Sequence, residues 1–109
     1  MKITKDWTSN ERDQTAGALP QYVMEVDHSW VDDKGRAIGG RATITDRRGL
    51  NPPEEQRFEL EIVSLRRGST YGSTGSSFLP DLDKAKREAV KRLERQGKGF
   101  ARSYPRGGR

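Results

Sequence analysis

The clearest pattern in the chain is an alternation. Tyr22, Met24, Val26, His28 and Trp30 fall on one side of an extended backbone, and Glu25, Asp27 and Ser29 fall on the other. A period of two sustained over this length is the mark of a half-buried β-strand. Asp32-Asp33-Lys34-Gly35 then reads as a turn, with Gly35 available for positive φ. Ile38, Ala42 and Ile44 alternate with Arg41, Thr43 and Thr45, as expected of the return strand of a hairpin. Gly39-Gly40 within it points to a bulge or to a close backbone approach.

After a loop held out of regular structure by Pro52 and Pro53, Phe58, Leu60 and Ile62 alternate with Arg57, Glu59 and Glu61 and predict a further strand. Val63 and Leu65 take the opposite parity. Either a bulge re-aims the strand there or both faces are partly covered. Arg66-Arg67-Gly68-Ser69 is the next turn, and Thr70 to Phe78 reads as a Gly/Ser-rich strand. Upstream, Ile3, Lys5 and Trp7 alternate with polar residues as in a short edge strand, and the polar run from Thr8 to Thr15 reads as loop.

The period changes after Pro80. Leu82, Ala85, Ala89 and Leu93 share one helical face, with Val90 at its margin. Asp81 is the expected N-cap and Gly97 the expected C′ residue, which predicts a helix over 82–96. Asp83 to Arg87 and Glu88 to Arg92 have the spacing of favourable i,i+4 pairs. The order implies an α+β fold: an antiparallel β-meander of three to four strands with one C-terminal amphipathic helix packed on one face. The expected organisation is an N-terminal segment with an edge strand over 1–20, a single domain over 21–97 and a basic flexible tail over 98–109.

Composition narrows the function classes. The 109 residues are 30% apolar and 34% charged, with 21 Lys plus Arg against 16 Asp plus Glu and a net charge of +5. With so little apolar material the core must be thin, one sheet face against one helix. There is no cysteine, which removes disulfides, thiolate metal sites and a cysteine nucleophile. The longest apolar run is three residues, Tyr22 to Met24, and the first residues lack a signal-peptide pattern, so a cytoplasmic protein without a membrane partner is expected.

The charge is unevenly placed. Residues 84–109 carry ten basic and two acidic residues, a net of +8, whereas residues 1–83 carry a net of −3. At about 100° per residue, Lys84, Arg87, Lys91, Arg95 and Lys98 fall on one stripe nearly opposite the apolar face. Arg102, Arg106 and Arg109 follow, with Phe100 and Tyr104 interleaved, and Arg106-Gly107-Gly108-Arg109 is a single copy of the RGG-type pattern of RNA-binding segments. Such a stripe neutralises phosphates through counterion release, and aromatics stack on unpaired bases. The expectation is a small non-enzymatic nucleic-acid-binding protein in which Lys84, Arg87, Lys91, Arg95, Lys98, Arg102, Arg106, Arg109 and Tyr104 make the contacts. The alternative is an adaptor or inhibitor that docks this helix on an acidic protein surface. The order of meander and helix occurs in several small nucleic-acid-binding modules, an analogy of fold only.

The remaining polar groups point to no reaction. His28 has no second histidine beside it and reads as a packed or edge residue. Asp27, Asp32 and Asp33 lack the spacing of a calcium loop. Gly72 to Ser77 lacks the ending of a phosphate-binding P-loop. Glu25, Asp27, Glu59 and Glu61 read as a solvated sheet face in charge pairs with Arg41 and Arg57. No catalytic residue, metal or cofactor is expected.

Overall fold

A computed structural model of the chain describes residues 1–10 and 18–108. Five strands form one antiparallel sheet in sequence order: β1 (Lys2–Ser9), β2 (Gln21–Val31), β3 (Ala37–Asp46), β4 (Phe58–Arg66) and β5 (Ser69–Leu79). Among the described residues one α-helix, α1 (Leu82–Ser103), packs across one face. The fold is the α+β meander that the alternation predicts, with the edge strand and the Gly/Ser-rich strand both present. Of the loop expected over Thr8 to Thr15, Thr8 and Ser9 belong instead to β1, where they pair with β2, and residues 11–15 lie outside the described residues. Among the described residues no helix is long and apolar enough to cross a membrane.

The core sits between α1 and the three central strands. Met24 and Val26 from β2, Ala42 and Ile44 from β3, and Phe58, Leu60 and Ile62 from β4 meet Ala85, Ala89 and Leu93 from α1. The small side chains of Ala85 and Ala89 let the helix lie close to the sheet. Among its described residues β5 supplies no buried core residue, and half-buried Leu79 packs against the core.

Three local features set the shape. In β2 the pairing with β3 shifts between Asp27 and Trp30, and Ser29 takes φ 53°. The bulge keeps both His28 and Trp30 on the helix side. Opposite it the strands approach so closely that a Cβ on Gly39 would lie 2.6 Å from the Val26 carbonyl oxygen, which is the role the double glycine plays. In β4 the change of parity is not a bulge against β3, because that ladder runs without a break. Both faces are covered instead. On the side away from α1, Arg41 stands opposite Val63 and reaches across β4 to donate to Thr70 Oγ1, and Val63 and Leu65 are buried. The register shifts lie between β4 and β5, where β5 carries the extra residues.

The helix does not end at Gly97. It is capped by Asp81, whose carboxylate accepts from the Lys84 N–H at 2.7 Å, and it runs on to Ser103. Gly97 is glycine for close packing and not for termination: a Cβ there would lie 2.7 Å from His28 Nδ1. The tail expected from Lys98 therefore begins only at Tyr104, and it returns to the sheet. Trp30 Nε1 donates to the Tyr104 carbonyl at 2.8 Å, and the Val31 N–H donates to the Gly107 carbonyl at 2.9 Å.

Candidate functional site

The basic stripe follows from the register of α1. Burying Ala85, Ala89 and Leu93 leaves Lys84, Arg87, Lys91, Arg95, Lys98 and Arg102 on the far side, and all six are exposed. At a rise of about 1.5 Å per residue the row is roughly 27 Å long. Among the described residues none of the six is paired with a carboxylate. The expected Asp83–Arg87 pair does not form, whereas Arg92 Nε meets Glu88 Oε1 at 3.1 Å. Asp83 and Glu94 are the exposed acidic residues of α1, and among the described residues neither makes an ion pair.

The other expected contacts are placed elsewhere. Arg106 is exposed beyond the helix, beside Asp32, Asp33 and Pro105 in a cavity of about 560 Å³, and it does not continue the row. Tyr104 is half-buried, its ring stacked on Phe100 with centroids 6.4 Å apart, so it anchors the C-terminal turn and does not project with the cations. Arg109 lies outside the described residues. Trp7 packs against the core, with the Lys86 ammonium 5.7 Å from its ring, at the opposite edge of the sheet from Tyr71.

The loop and sheet arginines do not merge with the helix row. Arg41 is on the opposite face of the sheet, beside Glu25 Oε2 at 3.4 Å. Arg47 stacks on Phe78, and Arg48 is bound to Asp46 at 2.8 Å. That guanidinium, against the opposing effect of burial, holds the Asp46 carboxyl below its ordinary value. The acidic residues are also separated from one another. β3 lies between β2 and β4, so Glu61 and Glu59 stand opposite Thr43 and Thr45, not opposite Glu25 and Asp27. The expected charge pairing on this face is realised by Glu25 and Arg41.

A second basic feature was hidden in the sequence. Arg66 continues a run of core-facing positions on β4, where an arginine contradicts the pattern, and it is buried. Its guanidinium lies between the rings of Phe100 and Tyr71, 4.7 and 4.6 Å from their centroids, and donates to Asp32 Oδ2 at 3.2 Å. Arg36 also binds Asp32, at 2.7 Å, and stacks on Tyr71 at 4.8 Å. Burial alone would raise the Asp32 carboxyl. The Arg36 N–H, the Arg36 guanidinium and the Lys34 N–H outweigh it and bring the group down to about 2. Asp32 is thus a fully engaged structural anion.

His28 is the packed histidine that the sequence predicts. Its Nε2 lies 2.8 Å from Gln96 Oε1, and Gln96 Nε2 donates to the Val63 carbonyl. That orientation of the amide makes Oε1 the acceptor, so His28 donates through Nε2. Burial lowers its pKa below the ordinary value, against the opposing effect of the hydrogen bond it donates to Gln96. Among the described residues no group of three His, Asp or Glu side chains is arranged to hold a metal ion.

No protein-family model, no curated protein and no solved structure matches the chain.

Proposed function

We propose that the protein binds nucleic acid non-enzymatically through the exposed face of α1. One observation carries the reading: six cations, from Lys84 to Arg102, stand in a continuous exposed row without carboxylate partners among the described residues. An anionic polymer with regularly spaced charges is the ligand that such a row suits, because each neutralised phosphate releases condensed counterions. The segregation of charge supports it. Glu25, Asp27, Glu59 and Glu61 lie on the sheet face away from the helix, so they do not repel a phosphate backbone laid along α1. The contacts are to phosphate and carry little sequence preference.

A salt titration of binding to labelled DNA and RNA oligonucleotides tests this reading. If all six cations are engaged, log Kobs falls with log salt at a slope of about −4 for a single strand and about −5 for B-DNA. No binding at low salt, or an affinity indifferent to salt, overturns it. A cellular partner that survives nuclease treatment and binds through the same row replaces the nucleic acid by an acidic protein surface.

A further inference from the structure

The helix covers the central strands but not the last one. The part of β5 nearest the helix carries small residues. Gly72 lies opposite Ser64 and Ser77 opposite Leu60 on the helix side of the sheet. A groove of about 470 Å³ on this side of the helix is lined by Ile62 of β4 and by Glu88, Arg92, Arg95, Gln96 and Arg102 of α1. Arg92 is held across it, donating to Ser77 Oγ at 2.8 Å while Glu88 offsets part of its charge. Arg95 and Arg102 are exposed members of the cationic row that also face into this groove. At the same end of the sheet Tyr71 is 58% exposed, and its inner side rests on the buried Arg66, which rests in turn on Phe100 one turn along α1 from Gln96. Two guanidinium groups, those of Arg66 and Arg36, pack on the Tyr71 ring and hold it in place while it stays exposed.

We propose that the groove on the β5 side of α1 takes a single-stranded polynucleotide, its phosphates on Arg92, Arg95 and Arg102 and a base packed against the exposed part of the Tyr71 ring. The inference rests on the reading of α1 as a nucleic-acid surface and adds which form of nucleic acid it selects. Base faces are available for stacking only when they are unpaired, and stacking tolerates any base. The groove has the volume of a small-ligand pocket, roughly 300–1,000 Å³, which suits nucleotides in file and not the two strands of a duplex. The Gly and Ser residues of β5 put little side-chain bulk in the way of a sugar–phosphate chain approaching the sheet.

Fluorescence anisotropy with labelled oligo(dT), oligo(rU) and a blunt duplex of equal length, at one salt concentration, tests the proposal. Single strands are expected to bind at least about tenfold more tightly than the duplex, and Tyr71→Ala to lose about tenfold on single strands alone. Tyr71→Phe retains the ring and the affinity. The double variant Arg95→Ala/Arg102→Ala weakens single-strand binding and reduces its salt slope by about one unit. The DNA and RNA arms report whether the sugar matters, and preference for either strand over the duplex supports the proposal. Equal affinity for duplex and single strand, with Tyr71→Ala silent on both, overturns the groove and leaves the row on α1 as a general polyanion site. Absence of binding to all three probes overturns both.

Discussion

His28, Gln96, Gly40 and Gly97 form one unit at the centre of the helix–sheet contact. A Cβ at Gly40 would lie 2.7 Å from Leu93 Cδ2, and one at Gly97 would meet the His28 ring. Gly40→Ala is therefore expected to destabilise by about 1–3 kcal/mol through overpacking. Gly99 is the opposite case. It lies within α1 with open space where a Cβ would stand, so Gly99→Ala is expected to stabilise by about 0.5–1 kcal/mol from helix propensity. Urea unfolding of the two variants checks both signs. The same unit makes stability depend on pH. His28 has a lowered pKa in the folded protein, so the unfolded chain binds the proton first. Stability is complete above the ordinary histidine value near 6.5 and is lost as pH falls below it toward the folded value. Asp32, depressed to about 2, acts in a separate window. Its contribution is present above the ordinary carboxylate range near 3.9 and disappears as pH falls from there toward the folded value. Urea midpoints are expected to fall between pH 7 and about 5, and His28→Asn is expected to remove that slope while leaving the acid limb.

At the scale of elements, the decisive feature is a helix that runs through two glycines. Helix propensity disfavours Gly97 and Gly99 and would end α1 near Gln96. Packing overrides it, because Gly97 fits against His28, Phe100 stacks with Tyr104 and meets Arg66, and Trp30 and Val31 donate to carbonyls of the C-terminal turn. Deleting the residues after Gly97 removes those acceptors. An unpaired buried donor costs about 1–3 kcal/mol, so the truncated protein is expected to melt at a markedly lower temperature as well as to bind polyanions less well. An unchanged melting temperature would show that the last helical turns do not support the sheet. The helix start is more local: Asp81→Ala is expected to cost about 1 kcal/mol by removing the cap on Lys84.

At the scale of the whole molecule, the sheet and helix divide the charge between two faces. A formal net charge of +5 describes neither face, since the cations of α1 are concentrated on one side. Reversing Arg87, Lys91 and Arg95 together to glutamate is expected to leave the unfolding transition nearly unchanged, because exposed charges without partners contribute little to stability. The same variant is expected to lose polyanion binding by more than about tenfold at physiological salt. Circular dichroism and anisotropy on one preparation separate the two effects.

The alternation of Tyr22 to Trp30, the parity of Phe58 to Ile62 and the apolar stripe of Leu82 to Leu93 were enough to determine strands, helix and their order, because each burial face is written in a local period. The cationic row was equally legible, since a helix that buries one face must expose the residues about 180° away. Three things depended on tertiary contacts between residues far apart in the chain. The end of α1 was decided by His28 and Trp30 from β2, against the local preference of glycine. The groove beside β5 exists because the helix axis lies over β2 to β4, a packing choice no single segment encodes. Arg66 became a buried support for Tyr71 only because Asp32, Arg36 and Phe100, drawn from the β2–β3 turn and the helix, converge on it.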